Sequence, residues 1–188
     1  MSESGLLSND VRERLDAAVT LPSLDKVTEA VKHTLQDGLR DGTLQVPASM
    51  QVPRSDTYAR RLLYRDPAGR YSMVVMTWGP GQKTALHDHA GIWCVECVMD
   101  GSMEVAQYDL VSENGGEFRF ARQNSVHANR GSAGCLIPPF EYHTLANAAD
   151  SASITLHVYG GDMTYCHAFE PQPGGAWRRV RKELSFHQ

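Results

Sequence analysis

The 188-residue sequence predicts an all-β fold, a sandwich or barrel, carrying a helical appendage at its N-terminus. Two observations lead there. From about residue 56, short apolar runs alternate with turn signals, at residues 71–78, 93–99, 103–110, 134–138 and 154–159. Runs of this length, set off by Gly, Pro, Asn and Asp, read as strands of a layered or closed β structure. Before that point the apolar residues recur at helical spacing instead.

Taken in order, Ser8, Asn9 and Asp10 offer caps ahead of Val11, Leu15, Ala18 and Val19, a helical stripe. A second stripe, Val27, Ala30, Val31 and Leu35, follows Leu21-Pro-Ser-Leu-Asp, with Gly38 as its expected stop. A polar, proline-containing connection at residues 46–53 leads into the β region. Asp66-Pro-Ala-Gly69, Asp100-Gly101 and Asn114-Gly-Gly116 supply the turns between strands. The expected division is a helical appendage over residues 1–50, packed on a barrel formed by residues 51–188.

Composition excludes several function classes. A net charge of -4 and a pI near 6.0 argue against a nucleic-acid footprint, which needs a basic face. No apolar run approaches the roughly 20 residues of a membrane span. The first ten residues, MSESGLLSND, lack the basic start and apolar stretch of a signal peptide. Four cysteines are too few for a secreted disulfide scaffold, so a cytoplasmic protein with reduced thiols is the expectation.

The chemistry concentrates in His87-Asp-His89, with Cys94 five residues on. On a strand, residues i and i+2 share a face, so both imidazoles project together and Asp88 to the other side. The spacing Gly81, five residues, His87, one residue, His89, with Gly101 beyond, resembles the first motif of the cupin barrels. That motif expects a Glu where this sequence has Cys94. Pro138, His143 and Asn147 resemble the second cupin motif, although Phe140 stands where its glycine is usual. The resemblance implies a jelly-roll-like β-barrel in which His87, His89 and His143 converge on a metal. Imidazole suits iron, zinc, copper and nickel, so three histidines do not choose among them. With no carboxylate ligand the site is more positive by one charge and favours an anionic co-ligand such as a thiolate.

At closer range the sequence resembles the cysteine dioxygenase family of thiol dioxygenases. His87-Asp-His89 with Cys94, His143 with Asn147, Thr155-Leu-His157-Val-Tyr159 and Tyr58-Ala-Arg60 are similar to the family's elements, with Thr in place of the usual Ser. Cys166-His-Ala-Phe169 and Leu184-Ser-Phe-His187 resemble its closing strands. The resemblance implies Fe(II) on His87, His89 and His143. It implies a catalytic set of Tyr159, oriented by His157, with Cys94 nearby, and a substrate-holding set of Arg60, Tyr58 and Thr155. Cys94 is either the partner of a thioether with Tyr159 or a small buried apolar residue. Cys94 and Cys97 spell a CxxC, but positions i and i+3 of a strand face apart, which excludes a shared metal or disulfide.

Arg60 bears on the substrate, because a guanidinium pairs bidentately with a carboxylate. Arg61 is the alternative anchor. The implied reaction oxidises L-cysteine with O2 to cysteine sulfinate; the alternatives are 3-mercaptopropionate, mercaptosuccinate, or a non-thiol metal-binding cupin. The expected partners are a small thiol and O2, with no nucleic acid or membrane, and the expected state is a monomer. His33, His127 and His167 are assigned no role.

Overall fold

The computed structural model describes residues 7–139 and 141–188. Phe140 and the first six residues, read above, lie outside the described residues. Two helices, α1 (Asn9–Ala18) and α2 (Leu24–Asp41), precede eleven strands among the described residues. Ser8 caps α1 by accepting from the Val11 N–H, and Ser23 caps α2 by accepting from the Lys26 N–H.

The second helix runs one turn beyond its expected stop. Gly38 lies inside α2, and Gly42, with φ of +80°, is the left-handed cap. Gly38 is small for a packing reason: a Cβ there would sit 2.9 Å from the Leu44 Cβ and 3.3 Å from a Val11 methyl. Helical spacing alone does not distinguish such a contact from a stop.

A five-stranded sheet has the order β1 (Ala59–Arg65), β2 (Ser72–Trp78), β9 (Ser153–Tyr159), β4 (Cys94–Asp100), β7 (Ala133–Leu136). The remaining strands close on themselves as β10 (Tyr165–Pro171), β11 (Trp177–Glu183), β6 (Glu117–Asn129), β5 (Ser102–Asn114), β8 (His143–Asn147) and β3 (Leu86–His87). The expected all-β barrel with two N-terminal helices is therefore the observed one. At the Asp100-Gly101 turn Gly101 has φ of +75°, a conformation costly for any side chain. The β5–β6 hairpin turns on Gly115 and Gly116 as read. Strand β6, however, was not anticipated, because most of its side chains are exposed and polar.

Alternation along β9 divides the five-stranded sheet's two faces. Ile154, Leu156 and Val158 point outward and join Val11, Leu15, Val31 and Leu35 in one core beneath the helices. Burying each of these aliphatic side chains contributes ~1.5–3 kcal/mol before entropy is counted. Tyr159, with Val74, Met76, Trp78 and Cys94, faces the barrel ring instead. Cys94 and Cys97 thus belong to opposite cores, and all four cysteines are free thiols.

The closing segment 184–187 departs from expectation. It forms no strand; β11 ends at Glu183 and the tail lies along the start of β1. The Arg60 N–H donates to His187 Nδ1 at 3.0 Å, and the His187 N–H donates to the Arg60 carbonyl at 2.7 Å.

Candidate metal centre

The three predicted histidines meet. His87 ends β3 and His143 opens β8, directly opposite each other in the β3–β8 ladder. His89 follows β3 by two residues. One nitrogen from each ring lies within 4.8 Å of the others, and the Nε2 atoms of His87 and His143 are 3.2 Å apart. His87 Nδ1 lies 3.0 Å from the Ala85 carbonyl, an acceptor only, so Nδ1 carries the hydrogen and Nε2 keeps its lone pair. Burial lowers the pKa of His87 and pushes His89 and His143 well below the ordinary value, where for the latter two neighbouring histidines add to it. Neutral imidazoles that bring one nitrogen each within 4.8 Å of the others fit a metal cation.

Asp88 faces away, as its place between the two histidines requires. It accepts from the Ala90 and His167 backbone N–H groups and lies 2.9 Å from His167 Nδ1. His167 therefore has a structural task that sequence reasoning did not assign: it ties the His89 loop to β10.

The inward residues of β9 line up behind the histidines. Trp78 Nε1–H donates to Thr155 Oγ1 at 2.9 Å, and Thr155 Oγ1 lies 2.8 Å from His157 Nε2. The indole only donates, and among the described residues the Thr155 hydroxyl hydrogen has no other acceptor than His157 Nε2, which leaves His157 protonated on Nδ1. Burial, with Arg60 second, lowers the His157 pKa to about 3, so this ring is neutral. Tyr159 stacks on it with ring centres 5.9 Å apart, and lies 6.0 Å from the His89 ring. Burial raises the Tyr159 pKa well above the ordinary value, so its phenol keeps its proton and can donate. Cys94 is the direct ladder partner of Tyr159, and its Sγ lies 3.9 Å from His157 Nδ1. Thr155 reaches the histidines only through His157.

The three histidines, His157 and Tyr159 border a cavity of about 310 Å³ lined also by Tyr58, Arg60 and Lys182; Cys94 and Thr155 do not line it. Arg60 is buried, with Nη2 donating to the Met163 carbonyl at 3.0 Å and Nη1 left without a partner. Its guanidinium lies 4.8 Å from the Phe186 ring and 5.8 Å from the Tyr159 ring. Arg61 does not line this cavity; its Nη1 donates to the Met50 carbonyl at 3.2 Å. Alternation along β1 sends the two arginines to opposite faces. Tyr58 packs on Trp78 at 4.5 Å between ring centres, and burial raises its pKa.

Sequence reading gave no site role to Lys182, Glu96 or the Phe186–His187 tail, which it took for a closing strand. The signal for Glu96 was present: it is two residues from Cys94 on β4 and shares its face. Burial pushes the Glu96 carboxyl up to about 8, and no cation compensates it.

Comparison with known proteins agrees with this geometry. The rat protein named Cysteine dioxygenase type 1 is 20% identical over 120 residues, which are 63% of this chain and 58% of the rat protein. The match thus spans little more than half of that relative's length. The human protein of the same name is 22% identical over 175 residues, 84% of this chain and 82% of its own. A solved structure of a Klebsiella pneumoniae protein with a double-stranded β-helix domain overlaps with a TM-score of 0.45 at 21% identity, covering 61% of this chain and 87% of that one. A family model described as Cysteine dioxygenase type I matches residues 52–172, from the turn before β1 through β10 and so across all three histidines. The chain belongs to the cysteine dioxygenase type I family.

Proposed function

We propose that this chain is an iron-dependent thiol dioxygenase that oxidises L-cysteine with O2 to cysteine sulfinate. The observation that carries the reading is the unpaired, buried Nη1 of Arg60 in the same cavity as His87, His89 and His143. A buried guanidinium arm without a partner is costly, and a substrate carboxylate is the group that fits it in charge and shape. Iron held by the three histidines would supply the acidity that deprotonates a bound thiol and the redox chemistry that joins O2 to sulfur.

The chain's own residues supply placement. Arg60 grips the carboxylate while Phe186 and the Met163 carbonyl hold its guanidinium still. Tyr159 presents a neutral phenol O–H to the cavity, and His157, its tautomer set by Thr155 and Trp78, stacks beside it. Arg60 is the buried cation of the cavity, Lys182 also lines it although its half-exposed ammonium lies 3.7 Å from the Glu170 carboxylate, and no carboxylate lines it among the described residues. That balance selects an anionic substrate and leaves no acidic base for the thiol.

Lys182 favours a second reading, a thiol with two carboxylates such as mercaptosuccinate, with the extra carboxylate on the Lys182 ammonium. The test loads the protein with Fe(II) without oxygen and adds L-cysteine, 3-mercaptopropionate or mercaptosuccinate. O2 is then admitted, and its uptake and the sulfinate formed are measured. Sulfinate from cysteine supports the first reading. A preference for mercaptosuccinate that Lys182→Ala abolishes supports the second. No sulfinate from any of the three ends both.

A further inference from the structure

Glu96 stands out as a mostly buried carboxyl, its side chain 12% exposed, that nothing in the fold repays. Its Oε2 is buried without a hydrogen-bond partner, and so is His143 Nδ1. These two orphans are neighbours: Glu96 Oε1 lies 3.9 Å from His143 Nδ1, and Oε2 lies 3.7 Å from His157 Nδ1. Neither distance is a hydrogen bond, and each needs a shift of just under 1 Å to become one. Glu96 also lines a second cavity of about 220 Å³, which shares the Leu145 side chain with the first, so the carboxyl has room to move.

The donors are fixed by the opposite ends of the two rings. His157 Nε2 is taken by Thr155, which puts the hydrogen on Nδ1. His143 offers Nε2 to the cluster, 3.2 Å from its His87 counterpart, which likewise leaves its hydrogen on Nδ1. Two N–H groups thus point toward two oxygens of one carboxyl. A ligating histidine ordinarily donates its far N–H to such an acceptor, which fixes the ring's tautomer and aim.

We propose that Glu96 is a positioning residue: its carboxyl takes the Nδ1–H of His143 on one oxygen and that of His157 on the other. It thereby couples the third metal ligand to the ring that stacks on Tyr159. This rests on the metal reading above.

The experiment compares Glu96→Leu and Glu96→Gln with the unmodified protein in anaerobic Fe(II) competition against a chelator. The ligand-field absorption of the Co(II)-loaded proteins and the urea midpoints of the metal-free proteins are read alongside. The leucine variant is expected to bind iron about 10–100-fold more weakly, the range for losing such a partner. Its Co(II) spectrum should change while its metal-free urea midpoint stays level or rises. The glutamine variant should fall between, because its amide oxygen still accepts one N–H. Iron affinity and a Co(II) spectrum unchanged in the leucine variant overturn the proposal. So does equal loss in both variants alongside a lowered urea midpoint, which marks a merely structural role. Failure of the metal reading looks different: the unmodified protein takes up no iron, or His143→Ala binds it equally well, and the proposal falls with it.

Discussion

Arg60→Gln tests the substrate clamp, and its magnitude follows from the hydrogen bonds on the guanidinium. Nη2 is occupied by the Met163 carbonyl, so the substrate gains mainly the free Nη1 arm. One charge-assisted hydrogen bond contributes ~1.5–3 kcal/mol. At about 1.4 kcal/mol per tenfold, its loss should raise the KM for L-cysteine about 10–150-fold. Initial O2 uptake against cysteine concentration reads the effect directly. Cysteamine, which lacks the carboxylate, serves as the internal control, and its KM should barely move. Arg61→Gln is the matched comparison. It loses one bond to the Met50 carbonyl, which still accepts from Thr77 Oγ1 at 2.6 Å, so neither stability nor KM should change much. An unchanged KM in Arg60→Gln, with the increase appearing in Arg61→Gln, would refute the reasoning.

Other perturbations probe separate links of the same argument. Gly38→Ala should destabilise the protein by ~1–3 kcal/mol in urea unfolding, because overpacking against Leu44 exceeds the ~1 kcal/mol gain in helix propensity; a stabilised variant contradicts the packing account. Deleting residues 184–188 removes the Phe186 ring from Arg60 and the His187 bonds to its backbone, so the KM for cysteine should rise several-fold with smaller change in kcat. Because Cys94 and Tyr159 are direct ladder partners, a thioether should form during turnover, read as an intact mass lower by two hydrogens and absent in Cys94→Ser. The metal-free protein should be most stable near pH 6.5. Below that, unfolded histidines take up protons that His157, with its pKa near 3, and the three clustered histidines refuse; each then costs up to about 1.4 kcal/mol per pH unit. Between about 6.5 and 8 the unfolded Glu96 is ionised while the folded one holds its proton, so stability falls as pH rises. A urea midpoint that does not change between pH 4.5 and 8 contradicts both limbs.

Much of the site was legible because β structure has a simple period. His87 and His89, and likewise Thr155, His157 and Tyr159, are spaced so that an extended backbone must present them on one face. Which face that is, core or cavity, depends on what packs against the other side. In β9 the answer came from Ile154, Leu156 and Val158 meeting the helices. Strand β6 escaped notice because its side chains are polar and its pairing with β5 rests on backbone hydrogen bonds, which carry no side-chain signature. Gly38 was misread as a stop because its reason, the Leu44 side chain, is a contact between chain segments.

The sequence alone determined the two helices, several of the strands and the pairing of histidine motifs, since each depends on local spacing and residue type, and its family resemblance supplied the two candidate arginines. Only the tertiary structure decided that Arg60 rather than Arg61 lines the cavity. It also brought His187 onto the Arg60 backbone from 127 positions away and set Glu96 between two imidazoles. Such contacts join residues distant along the chain, and their geometry exists only once the two sheets have closed around the same space.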